Sequence, residues 1–65
     1  MSWKKTLSAR ETEVCLLVSQ GLSNEKISHE LNISTHTVKT HLRNIYSKAG
    51  LNNRTSLAIT FPKKS

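Results

Sequence analysis

Helix start and stop signals alternate so closely along this 65-residue chain that only short helices fit between them. Ser8-Ala9-Arg10-Glu11 has the S-x-x-E spacing of a capping box, in which the hydroxyl and the carboxylate each satisfy an unpaired backbone N–H of the first turn. A helix follows from Ala9, and Gly21 is free to take the left-handed conformation that closes it. Ser23 caps a second helix with Ile27 and Leu31 as its buried stripe, and Asn32 can terminate it in the left-handed region. Ser34 caps a third, longer helix that Gly50 ends. Asn53 caps a last one, stopped by Pro62. The chain therefore reads as all-α, a compact four-helix domain with helices at about 9-20, 24-31, 35-49 and 54-61. Residues 1 to 6 and 62 to 65 read as loose termini, with Trp3 tucked against the core.

Size and composition exclude much. Sixty-five residues make one small domain with a single core, too small for an enzyme with a buried cleft. Ser, His and Glu are present, but a nucleophile triad needs a preorganised pocket, so no catalytic residue is assigned. Cys15 is the one cysteine, which excludes a disulfide framework and a zinc finger and favours a reducing, cytoplasmic setting. Flanked by Val14 and Leu16, it reads as a small buried hydrophobe. His36 and His41 lie about 140° apart around a helix with no acid or thiol placed to join them, so no metal is expected. No cofactor or small molecule is implied. The longest apolar run, Val14 to Val18, is too short to span a bilayer.

The net charge of +6 is unevenly distributed. All four acids (Glu11, Glu13, Glu25 and Glu30) precede Leu31, where they offset Lys4, Lys5, Arg10 and Lys26. From Leu31 onward there is no acid, while Lys39, Arg43, Lys48, Arg54, Lys63 and Lys64 carry the whole excess. Such a half-chain suits a polyanion (nucleic acid or an anionic membrane surface) or an acidic protein face. A merely solubilising surface is the plainer alternative.

The third helix sharpens the choice. Val38, Leu42, Ile45 and Ala49 share a narrow stripe, with Tyr46 at its margin. The opposite arc of about 100° carries only His36, Lys39, Thr40, Arg43 and Ser47. Arg and Lys donate to guanine N7 and O6 in the major groove, and a Thr methyl can meet the thymine methyl. The competing reading is an ordinary solvated face. Against it stands the context: a Ser-capped helix about three residues after a short one has the spacing of a helix-turn-helix, whose second helix enters the groove by its N-terminal half. Lys39, Thr40 and Arg43 are the candidates for base edges, with His36 a weaker one. Thr37, Asn44 and Lys48 on one flank, Lys26 near the start of the second helix, and Asn53 with Arg54 at the fourth are candidates for phosphates.

Together LSARETEV (7 to 14), GLSNEKISHELNIS (21 to 34), TVKTHLRNIYSKAGL (37 to 51) and NRT (53 to 55) resemble the LuxR-type, GerE-like helix-turn-helix domains of bacterial transcription regulators, the FixJ-NarL kind, over residues 7 to 61. The resemblance implies that the third helix lies in the major groove of double-stranded DNA, with Lys39, Thr40 and Arg43 facing bases. It implies a homodimer formed through the fourth helix, where Ile59 points outward between Ser56 and Thr60, and it admits a contact with RNA polymerase. Such domains usually follow a receiver or ligand-sensing domain.

Cys15 and Ala49 are smaller than the residues usual at their positions, Leu16 stands where a polar residue is usual, and Pro62 shortens the fourth helix. Truncated core side chains predict modest stability. Sequence-specific DNA binding in transcription regulation is the expected function. A protein-interaction module acting on another regulator through Leu16 and Ile59, without reading DNA, is the alternative.

Overall fold

A computed structural model of the chain describes residues 3 to 62. The expectation of loose ends at residues 1, 2 and 63 to 65 lies outside the described residues. Four α-helices follow one another: α1 (Ala9–Ser19), α2 (Asn24–Leu31), α3 (Thr35–Ala49) and α4 (Arg54–Thr60). Helices α1 and α4 end one residue earlier than their sequence signals suggest, because Gln20 and Phe61 serve as C-caps.

All four N-termini are closed by the expected side chains. Ser8 Oγ accepts from Glu11 N at 3.1 Å, Ser23 Oγ from Lys26 N at 3.2 Å, Ser34 Oγ from Thr37 N at 3.1 Å and Asn53 Oδ1 from Ser56 N at 2.8 Å. The first three C-terminal ends share a second device. A residue in the left-handed region closes each: Gly21 (φ 84°), Asn32 (φ 56°) and Gly50 (φ 69°). The next residue then donates its N–H back to the helix, Leu22 to Leu17 O, Ile33 to Ser28 O and Leu51 to Tyr46 O, as in a Schellman turn. Leu22, Ile33 and Leu51 each pack on the core. Each junction thus ends one helix, fastens an apolar side chain, and presents the next cap within a residue or two.

Val14, Cys15, Val18, Ile27, Val38, Leu42, Ile45 and Leu57 form the buried core. Helix α1 packs on both α3 and α4, and α2 packs on α3. Two packed neighbours give α1 a broad buried arc that takes in Cys15 and leaves Leu17 half-buried at its edge. Desolvation, reinforced by the negative charge of Glu11, pushes the Cys15 thiol up to about 11.

The N-terminal expectation needs one correction. Trp3 packs against the core as expected, but the segment Trp3–Thr6 is not loose and forms a 3-10 helix packed against α3. The Trp3 ring meets Phe61 with centroids 6.5 Å apart and an interplanar angle of 54°, and Lys4 Nζ sits 5.5 Å from the centroid of the same ring. Lys48 fixes the other end of the segment by donating to the Thr6 carbonyl at 3.1 Å. An aromatic at each end of the chain and one long cation supply contacts that helix periodicity does not encode.

Candidate nucleic-acid interface

Helices α2 and α3 are joined by Asn32, Ile33 and Ser34 alone, so α3 begins where α2 has just turned away. The stripe of Val38, Leu42 and Ile45 holds α3 to the core, and this fixes which side of it is outward. On that side His36, Lys39, Thr40, Arg43 and Ser47 are all exposed. The side chains of His36, Lys39 and Arg43 make no hydrogen bond or ion pair among the described residues. Thr40 donates its hydroxyl hydrogen to the His36 carbonyl at 3.1 Å, which leaves its lone pairs and methyl group for a partner. The second imidazole behaves differently: His41 is half-buried on the flank of the helix.

The α3 N-terminus is also open to anions. In α1 the third helical residue is Glu11, whose carboxylate accepts from Ser8 N at 2.9 Å and neutralises the positive helix end. In α3 that place belongs to Thr37, whose Oγ1 lies 2.9 Å from Ser34 Oγ, and no acid occupies the first turn. The backbone therefore keeps its unneutralised partial charge at the end that carries Lys39.

The candidate phosphate ligands divide into two kinds. Lys26 is exposed, and Thr37 is half-buried beside its cap. Asn53 is exposed but uses its carbonyl oxygen on Ser56 N and its amide on Asn52 Oδ1 at 3.0 Å. Lys48, exposed, and Arg54, half-buried, are tied back onto the domain by bonds of their own. Lys48 Nζ makes a 2.7 Å ion pair with Glu11 Oε1, besides its bond to Thr6. Arg54 donates to Asn24 Oδ1 and, at 2.6 Å, to the Leu22 carbonyl. Glu11 is the residue whose role the sequence underreports. Its capping box is legible at short range, but its partnership with a lysine 37 positions away is not. With only 5% of its surface exposed, Glu11 carries a charge in the interior of the domain. The hydrogen bond from Lys48 outweighs the opposing effect of burial and holds its carboxyl below the ordinary glutamate range. No sequence signal short of the fold connects those two residues.

A four-helix unit whose second and third helices are joined by a capped turn, with an acid-free outer face on the third, is a helix-turn-helix domain. Residues 5–61 match the family described as "Bacterial regulatory proteins, luxR family". The chain belongs to that family. It is 51% identical over 51 residues to the monoamine regulon transcriptional regulator of Klebsiella aerogenes, covering 78% of this chain and 22% of that protein. It is 46% identical over 55 residues to the putative HTH-type transcriptional regulator YhjB of Escherichia coli K12, covering 85% of this chain and 28% of that protein. To the transcriptional regulatory protein LiaR of Bacillus subtilis it is 42% identical over 55 residues, 85% of this chain and 26% of that protein. The chain thus spans about a quarter of the length of these curated relatives.

Proposed function

We propose that the chain binds double-stranded DNA sequence-specifically in transcription regulation, with α3 in the major groove. One observation carries this: the exposed, acid-free arc of His36, Lys39, Thr40 and Arg43 stands opposite the buried stripe of the second helix of a helix-turn-helix. The similar proteins are by name transcriptional regulators, which supports the same reading. Lys39, Thr40 and Arg43 read base edges, with His36 at the margin of the footprint, and Lys26, Thr37 and Asn53 set the register on phosphates. Lys48 and Arg54 hold the frame and offer phosphates the N–H groups their internal bonds leave over.

Two copies bind two half-sites through α4, where Ile59 is 54% exposed and is flanked by half-buried Ser56 and Thr60. The setting is the bacterial cytoplasm, and RNA polymerase is a further contact in the regulated complex. No helix among the described residues is long and apolar enough to cross a membrane, and no catalytic role is assigned.

Selection from random duplex DNA, followed by mobility-shift titration of the recovered sequence at two salt concentrations, tests the proposal. A paired motif bound about a thousandfold or more tighter than mixed duplex is expected. Recovery of no motif, with binding that salt abolishes equally on every duplex, would leave only a protein-interaction role.

A further inference from the structure

A second surface lies away from the reading helix. Glu13, Leu16 and Leu17 of α1 and Glu30 and Leu31 of α2 line an open depression of about 240 Å³. Single exposed leucines are ordinary on a protein surface. Leu16 is not single, since its side chain, 49% exposed, adjoins half-buried Leu17 and Leu31 around one hollow. The volume is below the usual range for a small-molecule site and the hollow is open, so it suits side chains presented by a protein.

The charge around it is distinctive. In a chain of net charge +6 with four acids, two of the four stand at this one rim. The only cation pairing with either of them among the described residues is Arg10, 3.7 Å from Glu13, with the two side chains 42% and 53% exposed. An ion pair that long and that wet holds its partners weakly. Arg10 also reaches the Leu31 carbonyl at 3.4 Å, so it rests on the edge of the hollow without filling it.

We infer that this notch is a docking site for a partner protein's amphipathic segment, one that seats a leucine-sized side chain against Leu16, Leu17 and Leu31 and sets lysines or arginines against Glu13 and Glu30. The carboxylates repel a DNA backbone, which excludes nucleic acid as the occupant. A second copy fits poorly. Its other large exposed apolar residue, Ile59, lies between the hydroxyls of Ser56 and Thr60, and among the described residues no lysine or arginine stands on α4 within a turn of it. No residue of α3 lines the notch, so a partner there and a duplex on α3 occupy different surfaces. The inference goes beyond DNA reading and does not depend on it.

The test uses the full chain labelled with nitrogen-15 and two synthetic helical peptides. One carries leucines at i and i+4 between lysines, and the other has glutamates in place of the lysines. The lysine peptide is expected to shift the amides around Leu16, Leu17 and Leu31 saturably, with a Kd below about 1 mM. The glutamate peptide is expected to bind at least about tenfold more weakly. Leu16→Asp, and separately the Glu13→Lys/Glu30→Lys double variant, should each weaken the lysine peptide by about tenfold or more while the spectrum stays folded and affinity for the selected duplex holds within about twofold. Equal binding of the two peptides, shifts centred on α3 or α4, no saturable shift, or variants that bind the lysine peptide like the parent would each overturn the notch. Loss of duplex recognition in the parent chain, with the peptide shifts intact, would remove the DNA reading and leave this one standing.

Discussion

Lys39 and Arg43 toward the start of α3, and Lys48 in its last turn with Arg54 just beyond it, are two pairs of cations with opposite fates. The first pair projects from the outer face with no partner among the described residues. The second pair ties the domain together, Lys48 by joining α3 to α1 and to the 3-10 segment, Arg54 by joining α4 to the loop before α2. Net charge counts all four alike, yet Glu11 neutralises Lys48, while Arg54 keeps its charge with two of its donors spent on the neutral oxygens of Asn24 and Leu22. An internal acceptor within reach of a cation reduces what it can offer a polyanion.

Removing Lys48 breaks this comparison most severely. Lys48→Met leaves the buried Glu11 carboxylate with the Ser8 N–H alone, and because the Lys48 side chain is itself 37% exposed the loss is that of one charged hydrogen bond, about 1 to 3 kcal/mol. For a domain this small each kcal/mol lowers the melting temperature by roughly 4 to 8 °C. Urea and thermal unfolding should both register the loss, whereas the discrimination between the selected duplex and random DNA should persist wherever the variant is folded. A loss below about 0.5 kcal/mol would place Lys48 among ordinary surface residues, with its whole ammonium available to phosphate.

Arg43→Ala should show the reverse pattern. Stability should stay within about 0.5 kcal/mol, since the side chain is exposed and makes no hydrogen bond or ion pair among the described residues. Binding to the selected duplex should fall by about 1 to 3 kcal/mol, with relaxed preference at one base position. Titrations of parent and variant on selected and mixed duplexes measure both quantities. Equal losses on the two DNAs would mean that Arg43 meets phosphate and reads no base.

What the sequence encodes locally was legible, and what it encodes at a distance was not. The caps at Ser8, Ser23, Ser34 and Asn53 and the left-handed stops at Gly21, Asn32 and Gly50 act within a turn of their own position, so residue type and spacing reveal them. The outward face of α3 was equally legible, because Val38, Leu42 and Ile45 determine its complement by geometry alone. The 3-10 segment was missed because Trp3 needs Phe61, and Thr6 needs Lys48, each supplied from the far end of the chain. Glu11 was legible as a cap and illegible as the anchor of Lys48 for the same reason. Summing charge by halves therefore assigned Lys48 to the free excess, although an acid of the first half neutralises it.

Acid sharpens the contrast between the pairs more gently. The Lys48 hydrogen bond depresses the Glu11 carboxyl in the folded state, so its contribution is fully present above the unfolded value of about 4.5 and is lost as pH falls through the depressed folded value. In Lys48→Met the contributions of the lysine are gone and only the Ser8 bonds still oppose burial, so the depression is smaller. The stability gap between parent and variant should thus be widest near neutrality and close below pH 4.5, with a slope of at most about 1.4 kcal/mol per pH unit for one group. A gap of the same size at pH 7 and pH 3 would show that Glu11 is not the partner whose charge matters.

The smallest expected effect concerns Lys26, a cation of α2 that belongs to neither pair. It is exposed, and its backbone N–H is held by Ser23 at the cap, which sets its side chain near the start of the helix that precedes the reading turn. If its ammonium meets one phosphate, Lys26→Ala releases one fewer counterion on binding. The slope of log K against log salt should then flatten by about 0.9, and affinity should fall by a similar factor on selected and random duplexes alike. Stability should not change measurably, which separates it from Lys48, and selectivity should not change, which separates it from Arg43. An unaltered salt slope would confine the phosphate contacts to α3 and the Asn53 end of α4, and the footprint of the domain would be narrower than the helix-turn-helix geometry implies.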